Sequence, residues 1–341
     1  MEQTKRIDYI SLASVLSAIA VVFLHSNGAV SYFTNSPRWF FANVIHSTFI
    51  FAVPIFFMIS GAMLLDFREK YDLKKYFLKR INKTVIPYLV WSILGLIIQI
   101  YLLKTILISD VNFDYLINGL VDGVLVPVYW FFIPLFVLYL VLPLFSYIKD
   151  NKKLLVFCIF ALFVLNYLYI EEIFPNYIIR TFEYAYLGYI AFALTGYLIH
   201  KNELPRKMRI LIYIMALFGF LIDLFGTYYM SLSIGSYYGN LRKYTGIVCI
   251  LYSVGLFVFI KYNTDKIMEF NLINKAVSFL DFYTFGIYLI HWYFIQFLIQ
   301  VFSIDIASFK FRLFTPFIVI VICVFIINIL RKIPVIKRIV P

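Results

Sequence analysis

Apolar runs, each about as long as a helix that crosses a bilayer, follow one another along almost all of this 341-residue chain. They fall near residues 7–27, 40–64, 85–107, 128–148, 152–170, 183–200, 209–230, 243–261, 281–303 and 313–331. They lack the alternation over about ten residues that marks the strands of a membrane barrel. The pattern predicts an all-α, polytopic membrane protein with about ten transmembrane helices in one bundle. Little sequence is left between the runs and no internal repeat is visible, so residues 1–341 are expected to form a single transmembrane domain. The first run follows Lys5 and Arg6 but outlasts a signal-peptide core and lacks a small-residue cleavage site, so it is expected to be retained.

The polar connections differ in character. Residues 66–84 carry Arg68, Lys70, Lys74, Lys75, Lys79, Arg80 and Lys83, with Leu73, Tyr76, Phe77 and Ile81 at helical spacing among them. That reads as a short amphipathic helix on the inner membrane surface. Residues 109–127 form a polar, acidic outer loop with Asp110, Asp114 and Asp122, and residues 231–242 are rich in Ser, Gly and Tyr.

Composition sharpens this picture. The chain is 63% hydrophobic and 14% charged, which excludes a soluble domain. Its net charge of +12 would suit nucleic acid, but most of the 30 Lys and Arg lie in alternate connections and at the two termini. That asymmetry places both termini in the cytoplasm and explains the charge without a nucleic-acid partner. Cys158, Cys249 and Cys323 stand singly in apolar runs, with neither metal nor disulfide spacing, and read as packing residues. Aromatic residues near span ends, Trp39, Trp130, Tyr228 and Tyr229 among them, suit interfacial anchoring, and could equally stack on sugar rings.

Few ionisable residues interrupt the apolar runs, and each is a candidate for chemistry. His25 ends the first run, about 27 Å along the helix axis, at the expected outer rim. Ser11, Ser14, Ala18 and His25 share a small, polar strip on that helix, of a kind that faces other helices or an aqueous cavity. His25 could also simply cap the span at the interface. His291 lies about 15 Å into the ninth run, sharing a face with Thr284 and Tyr288. A Tyr288–His291 pair could relay a proton, bind a polar substrate, or fasten two helices. Asp223, deep in the seventh run, needs a cavity or a cationic partner. Glu183 opens the sixth run, while His46 and His200 sit near span ends and read as interfacial. Arg80 and Lys83 could bind a phosphorylated cytosolic donor, although anionic lipid and the topology rule would also account for the basic stretch.

Several blocks carry a resemblance. The helix ending in His25 is followed by Phe51–Gly61, then Lys79–Arg80 with Pro87–Tyr88 and Trp91–Ser92, then Tyr129–Phe132 with Leu138–Tyr139 and Pro143, and finally Gly286–His291. In this order, over nearly the whole chain, they resemble the acyltransferase 3 family of membrane acyltransferases. The resemblance implies transfer of an acyl group, often acetyl, from acyl-CoA as co-substrate to a hydroxyl of a surface polysaccharide or lipid-linked sugar. No bound cofactor and no metal are expected, and the location would be the plasma membrane of a bacterial cell. His25 corresponds to the family's presumed catalytic histidine, which takes the hydroxyl proton or carries the acyl group in transit. Ser14, Arg80, Lys83, Trp130, Asp223, Tyr288 and His291 are the accompanying candidates for donor or substrate binding. Two departures stand out: the family's arginine eleven residues before that histidine is Ser14 here, and Tyr129 stands where a His usually precedes the Trp. The rival readings are a non-catalytic glycan exporter and a membrane scaffold of a glycan-assembly complex.

Overall fold

The computed structural model describes residues 7–168, 185–334 and 336–340. Among them there is no strand, and every apolar run is helical. Among the described residues, seven helical stretches are long and apolar enough to cross a membrane, against about ten expected from sequence. Of the other three expected spans, one is the shorter apolar helix Tyr129–Phe145, and the described residues of the other two are helical over Lys152–Leu168 and Ala185–Lys201. Glu183 lies outside the described residues.

Helix α1 (Asp8–His25) is the hub of the bundle. It packs against α2 (Pro37–Phe49), α3 (Ala52–Leu64), α12 (Ile247–Met268), α14 (Thr284–Phe302) and α15 (Phe309–Leu330). Partners on so many sides bury residues all round the helix, so its apolar positions form no single stripe. Helix α2 starts where Ser36 Oγ accepts from the Trp39 backbone N–H at 3.3 Å, with Pro37 in the first turn, a standard helix start. A break at Ile50–Phe51 separates α2 from α3 within one long apolar stretch.

The basic inner stretch is not a separate surface helix. Asp72 caps α4 (Leu73–Arg80) through the Lys75 N–H, and a π turn at Ile81–Val85 then carries the chain straight into α5 (Ile86–Tyr101). Of its expected apolar stripe only Tyr76 is buried, while Leu73 and Ile81 face outward.

After α5 the outer connection forms α6 (Phe113–Val121) and then turns inward. Leu125, Val126, Val128 and Tyr129 are buried, so the end of the expected polar loop 109–127 lies inside the bundle. Non-helical backbone at this depth must have its carbonyls satisfied by protein. Gln99 Nε2 donates to Leu125 O at 2.7 Å and Tyr288 Oη to Val128 O, while Tyr88 Oη donates to Leu120 O in the last turn of α6 at 2.5 Å. Helix α7 (Phe132–Phe145) follows, then α8 (Lys152–Leu168) and α9 (Ala185–Lys201).

Close helix contact is concentrated between α3 and α9. A Cβ on Gly61 would meet the Ala193 carbonyl oxygen at 1.7 Å, and one on Gly196 would meet that of Met58 at 2.1 Å. Backbones this close replace the hydrophobic drive that lipid removes. The remaining elements are α10 (Arg206–Leu221), a π turn at Ile222–Gly226, α11 (Thr227–Ile234) and α13 (Asn271–Leu280). At the inner ends, Asp66 accepts from Tyr197 Oη at 2.8 Å and pairs with Lys149 at 3.1 Å and with Lys201; Glu69 pairs with Lys149 at 2.5 Å. These contacts tie the ends of α3, α7 and α9.

Candidate active site

Three contacts fix α14 against α1. Ser11 Oγ donates to Asp281 Oδ2 at 2.6 Å, Ser14 Oγ to Thr284 Oγ1 at 3.3 Å, and the rings of His25 and His291 lie 5.2 Å apart. The contacts follow the same order on both helices, so the two run parallel. The small, polar strip of α1 therefore faces protein, and its partners are the polar positions at the start of α14. His25 and His291, remote in sequence, form one imidazole pair.

His25 is not at an open rim. Ser26 and Asn27 are buried just beyond it, and the 3-10 turn Gly28–Ser31 folds over the end of α1. Asn27 Nδ2 donates to Ala42 O at 2.8 Å and Trp39 Nε1 to Val30 O at 2.9 Å, which fastens this cover to α2. Trp39 thus serves as a buried anchor of the cover and not as an interfacial one. His25 keeps some accessible surface, while His291 is 0% exposed.

The tautomer of His291 follows from its neighbours. Its Nδ1 lies 3.0 Å from Ile287 O and 2.8 Å from Tyr288 O, so that nitrogen carries the hydrogen and donates. Nε2 is left as a buried lone pair without a hydrogen-bond partner. No hydrogen bond joins Tyr288 to His291: Tyr288 Oη donates to Val128 O, and the two rings stand 5.9 Å apart. Tyr288 is 60° around the helix from His291 at about 100° per residue, enough to turn it to a different neighbour. Tyr129 joins the same scaffold, donating to Leu289 O at 2.6 Å and lying 3.1 Å from Tyr293 Oη, which bonds Trp91 O at 3.0 Å.

Asp223 finds its cation in Arg242, whose Nε is 3.5 Å from Asp223 Oδ2 with both side chains buried. The π turn widens the helix where Asp223 sits, a feature common at functional positions. Arg242 is the residue that sequence reasoning passed over. It comes from a 3-10 turn at Asn240–Arg242 in the outer connection and donates through Nη2 to Asn43 O, Asn43 Oδ1 and Ser47 Oγ on α2. An arginine on the outer side runs against the topology rule, and that was the available signal. His46, which its place near a span end suggests is interfacial, has its Nδ1 buried without a hydrogen-bond partner, within charge–charge range of Arg242 and His25. His200 lies at the inner end of α9, with Nδ1 2.5 Å from Tyr9 Oη.

The other candidates are dispersed. Trp130 stacks on Tyr244 at 5.7 Å. Arg80 lies at the inner end of the bundle, its guanidinium 5.6 Å from the Tyr139 ring centroid and its buried Nε without a hydrogen-bond partner, while Lys83 is exposed. A groove of about 290 Å³ between α10 and α12, lined by Thr48, Phe220, Tyr252 and Phe259 among others, contains none of the sequence-predicted site residues. Among the described residues, no three or more His, Cys, Asp and Glu side chains are grouped so as to hold a metal ion.

Comparison with protein families places this geometry. Residues 7–331 match the acyltransferase 3 model, described as an acyltransferase domain. The chain belongs to the acyltransferase 3 family. Membership over nearly the full length makes it a multi-pass membrane acyltransferase in general character. No curated protein and no solved structure matches the chain.

Proposed function

We propose that this chain moves an acyl group, acetyl in the first instance, from cytosolic acyl-CoA to a hydroxyl of a cell-surface polysaccharide or lipid-linked sugar, in the plasma membrane of a bacterium. The observation that carries the reading is the His25–His291 pair on parallel helices of an acyltransferase 3 chain. His25 takes the proton of the acceptor hydroxyl as its oxygen adds to the acyl carbonyl. The C–S bond then breaks, and the departing CoA thiolate takes the proton back from the imidazolium. Ester and CoA thiol leave, and His25 is as it began. His291, with its Nδ1 hydrogen held by backbone carbonyls, offers Nε2 as the acceptor that steadies protonated His25.

On the inner side, Arg80 and Lys83 supply cations for the phosphates of CoA, and the basic stretch around them also draws anionic lipid. The acyl end must pass up the bundle from there to His25. Where acyl and hydroxyl do not meet directly, the His25 imidazole displaces CoA thiol to carry the acyl group and then yields it to the hydroxyl, and acylated His25 would be found by mass spectrometry after rapid denaturation near neutral pH.

The deciding experiment uses the full chain in proteoliposomes with [14C]acetyl-CoA and octyl β-glucoside as acceptor. Label should appear on the glucoside and be lost in His25→Ala; equal labelling in wild type and variant overturns the assignment. Ser14, hydrogen-bonded to Thr284 where the family has arginine, favours a second reading, a glycan exporter. That reading holds if the wild type transfers no acetyl and glycan flux is the same in His25→Ala.

A further inference from the structure

The Asp223–Arg242 pair is unfinished. Its side chains are 3% and 2% exposed; the Asp223 carboxylate has Ser47 and Arg242 beside it, but the nearest guanidinium nitrogen stands 3.5 Å away, and Nη1 of Arg242 completes no hydrogen bond. Thr227 Oγ1, one turn beyond Asp223, and His46 Nδ1, beside Ser47, are buried without partners as well. Buried polar atoms are nearly always satisfied, so a cluster of orphaned donors and acceptors calls for something that fills it.

The chemistry of the cluster selects the ligand. One guanidinium and one carboxylate sum to no charge, so an ion of either sign gains attraction from one and repulsion from the other. The atoms left open are acceptors on Asp223 and donors on Arg242, and the group that serves both at once is a neutral hydroxyl, which donates one hydrogen and accepts on two lone pairs. Two adjacent hydroxyls on one ring would reach both residues. The Tyr237 ring, 5.8 Å from the Arg242 guanidinium, offers an aromatic face from the Ser-, Gly- and Tyr-rich outer connection.

We propose that Asp223, Arg242 and His46 form the subsite that binds neighbouring hydroxyls of the acceptor sugar from the outer side and holds one of them toward His25. This rests on the acyltransferase reading above and names its acceptor site. Asn43 and Ser47 hold Arg242 in position through Nη2, and His46 is in charge–charge range of Arg242 and of His25.

The test measures both substrates on the full chain in proteoliposomes. Asp223→Asn and Arg242→Gln should each raise the KM for octyl β-glucoside at least about tenfold while the KM for acetyl-CoA stays within about twofold. An unchanged acceptor KM, or equal rises for both substrates, overturns the proposal. Removing one partner of a buried pair can unfold a protein, so binding is also followed on the wild type. Glucose should raise its unfolding midpoint and inorganic phosphate should not; stabilisation by phosphate, or by neither, overturns the subsite. Stabilisation by glucose without any acetyl transfer would keep the subsite and overturn the acyltransferase reading.

Discussion

Ser14 donates to Thr284 across the α1–α14 interface at 3.3 Å, so two short side chains meet where the sequence resemblance leads one to expect an arginine. Ser14→Arg must push a guanidinium into this seam. It is expected to cost about 1–3 kcal/mol of stability through overpacking and to lower acetyl transfer. Ser14→Ala removes one hydrogen bond and should cost about 0.5–1.5 kcal/mol. Thermal unfolding and transfer assays on the two variants read this directly, and a gain of activity in Ser14→Arg would show that the interface has room.

His25 and His291 should differ in how they fail. His25→Ala is expected to lower kcat by roughly 10²–10⁴, the usual span for a lost acid–base group. His291→Ala leaves His25 in place and should lower kcat by about 10-fold or more without raising the KM for acetyl-CoA. Identical losses in kcat and in folded yield would reduce His291 to a packing residue.

Gly61 and Gly196 let α3 and α9 touch backbone to backbone. Gly61→Val or Gly196→Val has nowhere to put its side chain, because the nearest atoms are main chain. Each should cost at least about 1–3 kcal/mol and abolish a monodisperse peak on size exclusion. Gly235, with open space around its missing Cβ but a left-handed backbone, should lose much less on change to Asn.

The inner ends of the helices set the pH response. Hydrogen bonding to Glu69 holds the Lys149 ammonium well above the ordinary lysine value, so its contribution is complete below about pH 10 and fades only as pH rises past that. The hydrogen bond from Lys261 holds the exposed Glu203 carboxyl below the usual range, so that contribution is present above about pH 4 and disappears as pH falls through its lowered value. The unfolding midpoint should therefore be flat between about pH 6 and 9, and Lys149→Met should lower it by a similar amount at both ends. A midpoint that changes steeply inside that window would assign the response to other groups.

Hydrophobic run length made the helices legible, and the small, polar strip on the first run identified the face of α1 that meets α14. The partners were not legible. Periodicity gives the face of one helix but not which helix it meets, so Asp281 and Thr284 opposite Ser11 and Ser14 could not be read off. For a related reason, the shared face of Tyr288 and His291 does not tell that a buried non-helical carbonyl, Val128 O, claims the tyrosine hydroxyl. Arg242 was hidden because its environment is built by α2 and the π turn, both distant in sequence. The run 40–64 also concealed its break at Ile50–Phe51, where apolar residues continue through the interruption.

The widened turn at Ile222–Gly226 holds one residue more than a regular helical turn would. A single-codon deletion inside it would restore ordinary winding and leave α10 and α11 continuous, where the same deletion in mid-helix would swing everything beyond it by about 100°. The helix could thus shed the turn in one genetic step and stay folded, and the carboxylate of Asp223 would be what it gave up. Chains of this architecture that differ by one residue here should then differ in whether they keep an acid at this level, which makes the turn a place where substrate preference can be altered without rebuilding the bundle.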